Sequence, residues 1–204
     1  MTKTYFSKDE QWDGGNYELS IQLGVEDDDQ IEKVLQTILS SPSIEGYYLE
    51  RDKEPDEQEP VTSVPKPYET GKQAYCLALM PNEHRIVCGV SIIREEEGFD
   101  WVNIYLPMVA LSEAYPVGGY PFDKTKSSKN WQKSVDEWLA VMGKLVFANV
   151  PYSLGLIGYE VSGETDSKEI AEHGIPEVRY ITYLHSTGED LRRYSKNQAS
   201  TGFS

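Results

Sequence analysis

Apolar and polar residues alternate with a period of two from Tyr17 to Leu23. Tyr17, Leu19, Ile21 and Leu23 fall on one side, and Glu18, Ser20 and Gln22 on the other, which predicts a half-buried strand. The period then changes. Ile31, Val34, Leu35, Ile38 and Leu39 make one stripe of a helix over 29–40, with Asp27-Asp28-Asp29 at its start and Ser40-Ser41-Pro42 at its end. Tyr47-Tyr48-Leu49 predicts a returning strand, so 17–50 reads as a β-α-β unit. The runs 74–80 and 86–93 are apolar almost throughout and flank Pro81-Asn82-Glu83-His84-Arg85, the pattern of a hairpin buried on both faces. A strand at 101–106 completes an antiparallel meander.

The strongest helical signal lies over 129–148. There Trp131, Val135, Trp138, Met142 and Leu145 step by four and three, Leu139 and Val146 flank them, and Ser128 is placed to cap. Strands follow at 154–161 and 178–184, with a short helix over 166–173 between them. These elements predict an α+β fold: a mostly antiparallel sheet of about seven strands with two main helices, 29–40 and 129–148, packed on it. The chain reads as a single domain over 1–204. It has a mobile N-terminal arm (1–15) ending at Asp13-Gly14-Gly15, an acidic Pro-rich loop (50–72) and a mobile Ser/Asn/Gly-rich C-terminal tail (195–204).

Charge changes this picture more than composition does. The formal net charge is −15, and it is concentrated early. Residues 1–100 hold 22 Asp/Glu against 9 Lys/Arg, whereas 101–204 hold 12 against 10. Within 50–60 there are six acids and two bases. A field of this sign repels nucleic-acid backbones and anionic lipid and steers basic partners inward. No run approaches the roughly 18 apolar residues of a membrane span. The N-terminal residues lack the apolar centre of a secretory signal, so a cytoplasmic location is the expectation.

Candidate chemistry is sparse. Period-two geometry sets Glu160 on the side of Leu154 and Leu156, a carboxylate over an apolar layer, with Arg179 on the next strand as its partner. Gly118, Gly119 and Tyr120, in the Gly/Pro-rich loop 116–122, allow close backbone approach, and Trp101 is a further candidate wall for such a pocket. Cys76 and Cys88 face one another across the hairpin with His84 in its loop, but the set is one ligand short of a zinc site. Ser162 lacks the flanking glycines of a hydrolase elbow. No metal, cofactor or catalytic residue is expected.

The leading functional expectation is therefore a non-enzymatic, bacterial-type protein-interaction module, inhibitor- or immunity-like, that binds a basic protein. Its candidate binding residues are Asp27, Asp28, Asp29, Glu54, Asp56, Glu57, Glu59, Glu95, Glu96 and Glu97. The alternative is an enzyme or small-ligand binder with a pocket at Glu160 and 116–122. A structural subunit, the third reading, would expose an apolar patch at Tyr47, Tyr48 and Trp101. Oligomeric state is left open.

Overall fold

A computed structural model describes residues 6–25, 27–61, 73–95, 98–118, 126–176 and 181–195. In chain order the elements are a 3-10 turn (Asp9–Trp12), β1 (Asn16–Gln22), α1 (Asp28–Leu39), β2 (Ile44–Tyr48), β3 (Ala74–Leu79), β4 (Arg85–Arg94) and β5 (Asp100–Pro107). Then follow α2 (Met108–Ala114), α3 (Lys126–Asn149), β6 (Leu154–Tyr159), α4 (Ser167–His173), β7 (Thr182–Thr187) and β8 (Asp190–Ser195). The protein is α+β: among the described residues one eight-stranded sheet runs β2-β3-β4-β5-β1-β6-β7-β8, with every neighbouring pair antiparallel.

The β3-β4-β5 meander forms as its apolar runs predict, with Cys76 opposite Cys88 and both thiols buried. The unit at 17–50 is built differently from a compact β-α-β neighbourhood. β1 lies mid-sheet between β5 and β6, and α1 carries the chain out to β2 at the edge, beyond three intervening strands. Asp27 caps α1 by accepting from the Gln30 N–H at 2.9 Å.

α1 and α3 cover one face of the sheet. Ile31, Val34, Leu35 and Ile38 of α1, and Trp131, Val135, Leu139, Met142 and Val146 of α3, are buried with Tyr17, Leu19 and Ile21 of β1. The apolar stripe of α3 is narrower than its periodicity suggests, since Leu145 is 36% exposed and lies at the rim. Gly143 permits the close approach of this helix: a Cβ there would meet Leu184 Cδ1 on β7.

β1 is buried on both faces, not on one, with Glu18, Ser20 and Gln22 as covered as the apolar residues between them. Two short segments account for this by folding over the flanks of the opposite face. On one flank Phe6 and Trp12 pack edge-on against Tyr48 and Tyr75. Residues 6–12 of the stretch read as a loose arm are thus held in the fold, and the Trp12 N–H donates to Phe6 O. On the other flank the chain from Val161 through α4 seals a second apolar cluster containing Trp101, Leu154, Leu156, Ile170 and Tyr183. Tyr47, Tyr48 and Trp101 are all buried, so the exposed apolar patch anticipated for a structural subunit is not at these residues.

Periodicity did not signal α2 or β8. Of the strand expected over 178–184, residues 178–180 lie outside the described set; β7 runs Thr182–Thr187, and β8 follows the turn at Gly188. In β8 the Arg193 side chain is only 6% exposed and meets Glu137 at 2.6 Å and Asp136 at 3.7 Å, so a charged residue stands where the strand turns inward. Residues 62–72 and 196–204 also lie outside the described set, and with them most of the Pro-rich loop and the C-terminal tail. Among the described residues no helix is long and apolar enough to cross a membrane.

Between α3 and the sheet, Asp136 accepts hydrogen bonds from Tyr17 Oη at 2.5 Å and Thr182 Oγ1 at 3.0 Å. Burial outweighs these bonds and raises its carboxyl to about 6. The folded protein therefore keeps a proton that the unfolded chain has released, so the stabilisation is complete below about pH 4 and lost as pH rises through about 6. Relative to Asp136→Asn, the unfolding free energy of the wild type should fall by on the order of 2–3 kcal/mol between about pH 4 and pH 7. Denaturant melts of both proteins across that range measure it, and a difference independent of pH would refute a desolvated Asp136.

Candidate functional site

Between the two flanking segments lies a cleft of about 460 Å³, with a polar and largely buried floor. Sheet register assembles its floor. Ser91 of β4 lies beside Asn103 of β5, which lies beside Ser20 of β1; one row along, Gly89, Tyr105 and Glu18 are similarly aligned. Ser20 Oγ donates to Asn103 Oδ1 at 2.7 Å. At Gly89 the sheet has room for the Tyr105 ring, because a Cβ would overlap the far end of that ring. Tyr105 lies over the gap and donates its hydroxyl proton to Gln73 Oε1 at 2.7 Å. Trp12, Arg51 and Gln73 form one wall; Asn16, whose carbonyl accepts from the Glu160 N–H, lies with Glu160 and Ser162 on the other.

Glu160 reaches this wall because β6 stops at Tyr159. The Glu160 backbone is left-handed (φ 47°) while its N–H still donates to Asn16 O at 2.9 Å. Period two had continued the strand and set the carboxylate over an apolar layer. The chain instead turns up at Glu160 and leaves the side chain exposed at the cleft. The following turn rests on Glu18, whose Oε1 accepts from both Ser162 N and Ser162 Oγ at 2.9 Å.

Glu18 is only 6% exposed. Burial raises its carboxyl above the ordinary range, the Ser162 bonds pull it back, and the Glu160 charge adds to the rise. Among the described residues no Lys, Arg or His forms an ion pair with it. Arg51, the cation on the opposite wall, pairs with Asp9 at 3.0 Å.

Of the residues singled out from sequence for a pocket, the cleft contains Glu160 and neither Trp101 nor Gly118. Trp101 is buried within the second cluster and donates its indole N–H to Glu95 Oε1 at 3.1 Å. Gly118 is exposed elsewhere, and Arg179, Gly119 and Tyr120 lie outside the described residues. Glu18, Asn103 and Tyr105 were not singled out. Their signal is a polar residue at every second position of strands that are otherwise core, visible in Glu18-Leu19-Ser20-Ile21-Gln22 and diluted by apolar neighbours elsewhere.

Many of the acidic residues expected to face a partner are tied into the fold. Asp27 caps α1; Asp28 pairs with Arg94 at 2.6 Å, and Arg94 also grips Asp100. Glu54 accepts from Phe6 N, Ser7 N and Ser7 Oγ, which ties the start of the acidic loop to the N-terminal segment. Glu57 accepts from Glu54 N, and Glu95 from Phe99 N. Asp29, Asp56, Glu57 and Glu59 are exposed, while Glu96 and Glu97 lie outside the described set. Among the described residues no group of three or more His, Cys, Asp or Glu is placed to hold a metal. No protein-family model matches the chain, and neither a curated protein nor a solved structure matches it significantly.

Two substitutions probe this architecture. Gly89→Ala should displace the Tyr105 ring, break its bond to Gln73 and cost about 1–3 kcal/mol. Thermal melts would show the loss, and it should largely disappear in a Tyr105→Ala background. Glu160→Gly removes a side chain from left-handed backbone and should stabilise by about 0.5–1 kcal/mol; a loss in denaturant melts would mean that the carboxylate holds the turn.

Proposed function

We propose that the protein is a non-catalytic binding module that docks a basic protein, in the manner of an inhibitor or immunity protein, against the open face of its sheet. The observation that supports this most is the position of the cleft. It contains the carboxylates of Glu18 and Glu160, and through Arg51 it borders the loop that carries exposed Asp52, Asp56, Glu57 and Glu59. Such a rim attracts a cationic partner from a distance, and a concave centre gives that partner something to fill. Glu54 holds the loop against residues 6 and 7 before any partner arrives, which lowers the ordering cost of docking. The same negative field disfavours nucleic acid and anionic lipid as targets.

A small polar ligand is the second reading. A volume of about 460 Å³ falls within the range usual for small-molecule sites, and Trp12 and Tyr105 supply apolar surface beside hydrogen-bonding groups. A compound retained in native mass spectra of the purified protein would favour it.

The test of the leading reading is kinetic. A protein captured at low ionic strength and then purified should be basic. Its association rate should fall about tenfold or more between roughly 50 and 500 mM salt. Asp56→Asn, Glu57→Gln and Glu59→Gln together should slow association while changing dissociation little. An acidic partner, or association indifferent to salt, would defeat the proposal.

A further inference from the structure

Resting on the basic-partner reading, we infer that the cleft is a socket for one arginine side chain of that partner, with Glu18 and Glu160 receiving the guanidinium and Trp12 standing beside it. Glu18 is a carboxylate more than nine-tenths buried that lines an open cavity and forms no ion pair among the described residues. A buried charge of that kind is costly until a counter-charge reaches it. The Ser162 N–H and hydroxyl and the Val161 N–H orient this carboxylate without neutralising it, so a cation adds a counter-charge that these bonds do not supply.

Two features select guanidinium over ammonium, and a third favours either cation. The acceptors come from two elements, Glu18 on β1 and Glu160 beyond β6, and a planar fork with five N–H groups can serve both where a point charge serves one. Trp12 lines the cleft with an indole held by Phe6 and Tyr75 and with its N–H satisfied by Phe6 O, so what it offers an incoming cation is ring surface fixed in place. Arg51, the competing cation on the rim, is paired with Asp9 and so adds little repulsion.

An apolar hollow beside Trp138 and Val141 on α3 is a further cavity among the described residues, and nothing in the structure says what would cover it. The buried Asp136 group is filled by its own neighbours.

The test uses three synthetic peptides, identical except for a central arginine, lysine or citrulline in an otherwise lysine-containing sequence, titrated into the full chain at low salt by calorimetry. Citrulline keeps the shape of arginine and removes its charge. The arginine peptide should bind about tenfold or more tightly than the citrulline peptide and several-fold more tightly than the lysine peptide. That preference should collapse in Glu160→Gln and Glu18→Gln and shrink in Trp12→Phe. Should Glu18→Gln fail to fold, Glu160→Gln and Trp12→Phe carry the test alone.

If all three peptides bind equally, and binding is lost only in the Asp56/Glu57/Glu59 variant, the socket is wrong while the basic-partner reading survives. If no cationic peptide binds the wild type at low salt, both fall.

Discussion

β1 runs between β5 and β6 in the middle of an eight-stranded sheet, and its side chains alternate between two different environments. Tyr17, Leu19 and Ile21 meet the helices; Glu18, Ser20 and Gln22 face the other way and are equally buried. A polar row in that position is tolerable only if each group finds a partner. Asn103, through Ser20, and the turn at Ser162, through Glu18, supply two of those partners from distant parts of the chain. Gln22 accepts from Ser167 N at 2.9 Å, at the start of α4. The segments that cover the open face are thus recruited by the polar side of β1 as much as by apolar burial.

This arrangement has a consequence for the surface. The flanks are sealed by the Phe6–Trp12–Tyr48–Tyr75 cluster on one side and by the Val161–α4 segment on the other. Between them lies a cleft whose floor is buried but polar. Gly89 lets Tyr105 lie low, and the left-handed turn at Glu160 brings a second carboxylate near the first. A hydrophobic row in the same place would have required a third covering layer. The polar row allows a cleft that carries two carboxylates instead, which is the basis for reading this face as a docking surface.

Negative charge serves two purposes in this chain. Glu54, Asp28, Asp27 and Glu95 close loops and cap a helix, each accepting from a backbone N–H or pairing with an arginine. Those residues are largely structural, and counting them as binding residues overstates the surface available to a partner. The exposed remainder at Asp52, Asp56, Glu57 and Glu59 is where long-range attraction is least compensated by internal bonds.

Periodicity alone determined that two amphipathic helices pack on an antiparallel sheet, because the spacing of apolar residues reports the local backbone directly. Ala74–Leu79, Arg85–Arg94 and Asp100–Pro107 lie where their apolar runs place them. β8 escaped because its inward residue is Arg193, whose burial depends on Glu137 and Asp136 of a helix more than fifty positions away. The cleft was only partly legible for the same reason: Glu160 stood out as a carboxylate in an apolar context, but its turn depends on φ at one residue. Glu18 meets Ser162 across 144 positions. Which strand neighbours which, and hence which polar side chains share a face, is set by non-local pairing that no window of sequence contains.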